Sequence, residues 1–191
     1  SHFLEEIGMS NSRFEFVHSM TPDNDSPFAI NGQKCRLSKT GFDEVLIQFS
    51  PNPGETLKAI NKIASGGEIS RIMLALKSVL AEKDQVPVLV FDEIDSGISG
   101  KVAQIVGKKI SDLSRYHQII CITHLPQIAA FADHHLKVDK KTAGNITEVQ
   151  IKALKFDDQV SELAHLLGGV SVSQQALDNA AQLLSEAAKI K

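Results

Sequence analysis

Two kinds of hydrophobic pattern alternate along the middle of this chain and set its architecture. From Ile69 the apolar residues fall at Ile69, Ile72, Met73, Leu76, Val79 and Leu80. This is the i, i+3, i+4, i+7 spacing of an amphipathic helix, which should end near Glu82. "QVPVLVFDE" follows, an apolar run from Val86 to Phe91 that stops on two acids. Such a run predicts a strand buried on both faces of a largely parallel sheet. After "SGISG", Val102, Ile105, Val106, Ile110 and Leu113 mark a second helix, and "HQIICITH" is a second fully apolar strand. Helix, strand, helix, strand is the βαβ rhythm of an α/β sheet with right-handed crossovers. A short helical turn, "LPQIAAFA", comes next.

The flanks read differently. In "SHFLEEIGMS", Leu4, Ile7 and Met9 have near-helical spacing. "RFEFVHSM" alternates, with Phe14, Phe16 and His18 on one face, and predicts a strand. "TPDNDSPFAINGQ" is rich in turn formers and reads as a loop. "DEVLIQFS" is the next strand, stopped by "PNPGE", and Leu57, Ile60 and Ile63 suggest a short connector. "HLKVDK" and "ITEVQIKAL" make a β-hairpin turning at Ala143-Gly144-Asn145. "DDQVSELAHLLGG" reads as a helix with a capping-type start and a Gly168-Gly169 stop. An alanine-rich helix ends the sequence, with Leu177, Ala180, Ala181 and Leu184 on one face.

Composition narrows the class. At 191 residues, 42% of them hydrophobic and 23% charged, the chain suits one globular domain of ordinary size. No apolar run approaches the roughly 20 residues that span a bilayer, so no membrane partner is expected. The first residues lack the layout of a signal peptide. A net charge of −3 gives no bulk argument for nucleic-acid binding. The two cysteines, Cys35 and Cys121, form no CxxC or zinc spacing, which fits a reducing, cytoplasmic setting. Cys121, inside an apolar run, reads as a small buried hydrophobe. His134 and His135 read as strand-start residues rather than metal ligands.

Three clusters carry chemistry. "SGGE", Ser65, Gly66, Gly67 and Glu68, sits at the mouth of a helix. There the first N–H groups lack intrahelical partners and the dipole is positive, which makes an anion site. Glycines would let a phosphate approach the backbone. Asp92 ends a hydrophobic strand, where a carboxylate can hold Mg²⁺ through water. Glu93, one step on, could polarise a water for attack on a phosphate. His124 follows "IICIT" and could hydrogen-bond a phosphate or the attacking water. Each has a plainer explanation alone: an N-cap, a solvent-facing strand end, an ordinary histidine. Together they follow one another in the order an α/β sheet needs, with the acids and the histidine at the carboxyl ends of strands, where such sheets bind ligands.

These stretches resemble the C-terminal half of an ABC-type ATPase head: "SGGE" the signature, "VPVLVFDE" the Walker B strand, "ITH" the switch histidine. More narrowly, "KIASGGEISRIMLALK", "VLVFDEIDSGISG" and "ITHLPQIAAFADHHLKV" resemble the SMC-like family of bacterial DNA repair ATPases. The resemblance implies an α/β, P-loop NTPase-like head lobe whose cofactors are ATP and Mg²⁺. Ser65, Gly66, Gly67 and Glu68 would contact ATP held by the opposite head, Asp92 would support Mg²⁺, Glu93 would be the general base and His124 would sense the γ-phosphate. The implied partners are the N-terminal half of the same head, a second head in a homodimer, and double-stranded DNA. Ser99 stands where many members have the D-loop aspartate.

No GxxxxGK[ST] phosphate loop occurs in the sequence. The resemblance therefore implies a lobe that is incomplete without its N-terminal half and does not hydrolyse ATP alone. Residues 1–10 are expected to be the end of a coiled-coil helix and residues 11–191 the C-terminal part of the head. Two other readings stand beside the ATPase: a structural DNA-entrapment head whose function does not depend on hydrolysis, and a non-catalytic dimerisation module.

Overall fold

The computed structural model describes residues 2–62, 65–143, 146–169 and 172–191. A short helix, α1 (His2–Glu6), opens it and turns back through Gly8 at φ +85. Leu4, Ile7 and Met9 are buried in the main core, Glu6 pairs with Lys109 at 2.9 Å, and the Lys109 ammonium lies over the Phe3 ring. The N-terminal turn is thus docked on the helix that carries Lys109.

Strands β1 (Arg13–Met20), β2 (Ala29–Ile30), β3 (Gln33–Lys34), β4 (Asp43–Ser50) and β5 (Lys58–Ala59) follow. β4 lies between β1 and β5, antiparallel to both. β1 and β4 have the bounds their alternation predicts, but Phe16 is exposed and stacks edge-on against half-buried Phe14. The buried anchor of this sheet is Phe49. The expected loop from Thr21 holds a small hairpin, β2–β3, turned by Asn31 and Gly32, both at positive φ. "NG" between short strands is a type I′ turn signal.

The α/β centre comprises α2 (Gly66–Leu80), β6 (Val88–Phe91), α3 (Gly100–Leu113), β7 (Gln118–Cys121) and α4 (Pro126–Ala129). Helix α2 begins at Gly66, three residues before the expected Ile69, because Ser65 already caps it by accepting from the Glu68 N–H. β6 and β7 pair in parallel, Val90 opposite Ile120 and Phe91 opposite Cys121. Leu89 and Phe91 face the core with Ile119 and Cys121.

Burial on both faces is not what β6 shows: Val88 and Val90 are exposed, Val90 at 61%. Ile120 and Ile122 share that face and are also exposed. Strict period-2 geometry puts these side chains on the side away from the core cluster, and no element among the described residues covers them. The parallel ladder is the β6–β7 pair, and the other described ladders are antiparallel.

Hairpin β8 (Leu136–Ala143) and β9 (Ile146–Ala153) is antiparallel as expected; Gly144 and Asn145 of its turn lie outside the described residues, as does Ile63 of the connector. Helices α5 (Phe156–Gly168) and α6 (Gln174–Ile190) pack on each other around Leu163, Ala164, Ala176, Ala180 and Ala187, with Phe131 beside them. Gly169, at φ +71, stops α5. The α5 start has no side-chain cap, since its N-cap is Lys155, and Ala181 faces solvent rather than the shared face. Gly107 lets α3 meet α4: a Cβ there would stand 2.6 Å from the Phe131 ring and 3.0 Å from the Gln127 carbonyl.

Candidate functional site: a helix mouth against an acidic strand end

Because α2 runs antiparallel to β6, its N-terminus and the end of the strand lie together. The contact is close. A Cβ on Gly66 would collide with the Glu93 carboxylate, and one on Gly67 would stand 2.9 Å from the Glu93 carbonyl and 3.0 Å from that of Ser96. At Gly67 glycine is required for helix-to-loop packing within the chain. The space beside Gly66, expected to admit a phosphate, holds the Glu93 side chain instead. A carboxylate at that position complements the positive end of the helix.

Glu93 itself has φ +57, a left-handed conformation uncommon for a residue with a Cβ. Its N–H donates to Asp92 Oδ1 at 2.9 Å, and its carbonyl accepts from Ser96 N–H. The Ser70 hydroxyl donates to the Asp92 carbonyl at 2.6 Å. Arg71, buried at 6% exposure, donates through Nη1 to the carbonyls of Ser96 at 2.6 Å and Ile94 at 3.3 Å. Burial lowers the Arg71 guanidinium from its ordinary value, while Glu68 pulls it back up. One turn of α2 therefore staples the loop that follows β6. Neither Ser70 nor Arg71 was singled out in the sequence; "SR" after "SGGEI" offers no signal beyond its distance from the acids.

His124 follows β7 and is 75% exposed. Its ring Nδ1 lies 2.9 Å from Asp95 Oδ2. The same oxygen accepts from the His124 N–H at 2.8 Å and from the Thr123 hydroxyl at 2.6 Å. Burial pushes the Asp95 carboxyl up, but the Thr123 and His124 hydrogen bonds, with attraction to the ring, bring it below the ordinary aspartate value. Asp95 is the third acid of "FDEID", and nothing in the spacing marks it out. Its burial, hidden in a run of polar letters, is what sets it apart.

The structure thus gathers Ser65, Gly66, Gly67, Glu68, Asp92 and Glu93 at one corner, and brings His124 to the same strand ends through Asp95. No hydrogen bond joins His124 to Glu93 or Asp92 among the described residues. Ser99 is the N-cap of α3 and makes no side-chain cap bond. Asp92 and Glu93 are both exposed, and no group of three metal-ligating side chains occurs among the described residues. A lone exposed carboxylate suits a water-mediated hold on a hydrated Mg²⁺, not an all-protein cage.

A solved structure shares this arrangement of α2, β6, α3 and β7. The Smc head domain with a coiled coil and joint from Pyrococcus yayanosii matches 98% of this chain and 28% of its own, with TM-score 0.51 and 21% identity. The fold is that of part of an Smc-type head domain. Sequence relatives are more specific. The DNA repair protein RecN of Bacillus subtilis is 40% identical over 190 residues, 98% of this chain and 33% of the relative. RecN of Treponema pallidum is 41% identical over 186 residues, 97% of this chain and 31% of the relative. The chain is similar to these RecN proteins over nearly its whole length and spans about a third of theirs. No known family profile matches it. No helix among the described residues is long and apolar enough to cross a membrane.

Proposed function

We propose that this chain supplies the signature, Walker B and switch-histidine parts of a composite ATP site, in a protein that repairs broken double-stranded DNA. The observation that carries this reading is the packing of the α2 mouth against the Asp92–Glu93 corner. A helix N-terminus that can receive phosphate oxygens, an exposed strand-end carboxylate that can hold hydrated Mg²⁺ and a second carboxylate that can take a proton from water are the parts phosphoryl transfer needs. In this reading Ser65, Gly66, Gly67 and Glu68 face ATP on a second head, Asp92 supports Mg²⁺, Glu93 is the general base and His124 approaches the γ-phosphate. Mg²⁺ would neutralise the developing phosphate charge.

The α2 mouth is not free in the lobe as it stands, since Glu93 lies over it. ATP seated against α2 requires the Glu93 side chain to swing away, which places it free for water. Residues 1–10 are read as the foot of a coiled coil and residues 11–191 as head. The lobe's immediate partner is a phosphate-loop half. The uncovered face of Val88, Val90, Ile120 and Ile122, with the adjoining cleft of about 280 Å³ between α2 and β6, supports this, being the apolar surface such a half would cover.

The test is association. Mixed with a phosphate-loop half, the chain should form a complex that doubles in mass with ATP and Mg²⁺ in sedimentation, and Ser65→Arg should block the doubling only. Doubling that ignores nucleotide would favour a plain dimerisation module.

A further inference from the structure

Two residues other than glycine have positive φ among the described residues, Asn31 at 52 and Glu93 at 57. Asn31 is explained by its own chemistry, since asparagine tolerates the left-handed region and an "NG" turn needs it. No such local reason exists for Glu93. A glutamate side chain gains nothing nearby from this conformation, so its surroundings must impose it. Glu93 is also the residue proposed above as general base.

The groups that hold it lie on both sides of the residue. Before it, the Ser70 hydroxyl donates to the Asp92 carbonyl at 2.6 Å. After it, Arg71 Nη1 donates to the Ile94 carbonyl at 3.3 Å and to the Ser96 carbonyl at 2.6 Å. Between them the Glu93 carbonyl closes a turn by accepting from the Ser96 N–H at 2.9 Å. Ser70 and Arg71 are consecutive on α2, so one rigid helix fixes the peptides before and after Glu93. Moving φ at Glu93 to the usual helical value is a rotation of about 120°, which pulls the chain on one side away from its donor. We infer that Ser70 and Arg71 are positioning residues for Glu93. Together they hold it in the left-handed conformation, and from there its carboxylate reaches the place beside Gly66 at the mouth of α2.

The consequence is that the Glu93 backbone belongs to α2 as much as to β6. The second turn of the helix carries it through three hydrogen bonds, while the exposed carboxylate stays free to turn about its own side-chain bonds. A general base held this way keeps its distance to the helix mouth whichever way the side chain points. Loosening the hold misplaces the base in the reacting complex, which costs rate rather than affinity. What the carboxylate does rests on the ATP-site reading; the imposed backbone does not.

Glycine adopts this conformation without strain and alanine does not. In the chain alone, Glu93→Gly should therefore unfold at a higher urea concentration than Glu93→Ala, the reverse of the order at an ordinary position. Adding Ser70→Ala, or separately Arg71→Met, should narrow or reverse that gap. Ser70→Thr keeps the hydroxyl and should preserve it; the added methyl has room, since Ser70 lines the cleft between α2 and β6. Alanine above glycine without a second substitution overturns the inference, and so does a gap that a folded Ser70→Ala chain leaves unchanged, whether or not Arg71→Met folds. In an active mixture with a phosphate-loop half, Ser70→Ala should lower kcat by roughly tenfold to a hundredfold with little change in KM, and Ser70→Thr should restore it. Unchanged kcat there overturns the positioning role. No turnover in the unsubstituted mixture would sink the ATP-site reading instead, with the order of glycine and alanine at position 93 still deciding what holds Glu93.

Discussion

The Glu93 carboxylate occupies the place that a Cβ on Gly66 would take. Its neighbour Gly67 is hemmed by backbone, the Glu93 and Ser96 carbonyls, which no rotamer change can move. The two glycines therefore differ in a way that mutation can separate. Gly67→Ala should destabilise the chain by about 1–3 kcal/mol, the usual cost of overpacking, whereas Gly66→Ala should cost little, because the exposed Glu93 side chain can turn its carboxylate aside. Adding Glu93→Ala should not remove the Gly67→Ala cost, because the two carbonyls stay in place. Urea unfolding of the single and double variants measures both.

Arg71 holds the loop after β6 through the Ile94 and Ser96 carbonyls from a buried position. Arg71→Met leaves those carbonyls without their charged donor and should cost about 1.5–3 kcal/mol. Arg71→Lys should recover only part of it, because both bonds leave the single nitrogen Nη1 and the lysine ammonium ends one bond short of that atom. Denaturant midpoints, with hydrogen exchange at residues 94–97 as a local readout, check this.

Lys77 at the end of α2 pairs with Asp84 at the approach to β6. The Lys77 hydrogen bond, with one from the Val86 N–H, holds the Asp84 carboxyl below its ordinary value. A depressed folded value adds stability that is present above the unfolded value, near pH 4, and is lost as pH falls through the folded one. Lys77→Met should therefore be less stable than the unsubstituted chain at pH 6, and the gap should close as pH drops below about 4. A gap independent of pH would contradict the assignment.

Burial, then the negative charges of Asp95 and Asp92, push the Cys121 thiol up to about 12. At pH 8 only about one molecule in ten thousand would carry the thiolate, the reactive form. Thiol reagents should leave Cys121 unmodified in the folded chain and label it once urea unfolds the protein, as peptide mass spectrometry would show.

Val90 and Ile122 lie on the uncovered face of the β6–β7 pair. Val90→Lys should leave the unfolding midpoint of the lobe nearly unchanged, because the side chain already meets solvent. The same change should weaken capture of a phosphate-loop half by about tenfold or more, the scale of one central contact in an apolar interface. Equal binding by the variant would show that this face is not where the halves meet.

Much of this was legible from pattern alone. The β1 and β4 strands alternate at period 2 and α3 carries a clean 3.6-residue stripe, so their limits emerge within a residue or two, while β8 runs on to Ala143, inside the expected turn, and Ala181 leaves the stripe of α6. What was not legible depends on partners that periodicity cannot see. Val86–Phe91 reads as buried on both faces, yet among the described elements the face of Val88 and Val90 meets solvent. The expected start of α2 falls late because glycines are poor helix formers, yet Ser65 caps the helix and the Glu93 and Ser96 carbonyls leave no room for a Cβ at Gly67. Ser65, Glu93 and His124 stood out by type and order. Asp95, Arg71 and Ser70 did not, since their roles come from burial and from carbonyls supplied by a distant segment.

The central claim is that the α2 mouth and Glu93 are two parts of one ATP site. ATP turnover of the chain alone, and of the chain with a phosphate-loop half, tests it most directly. The account predicts no turnover alone, turnover in the mixture, and its loss with Glu93→Gln while nucleotide-dependent doubling persists. A folded, associated mixture that turns over ATP equally well with Glu93→Gln, or not at all without it, would contradict the account.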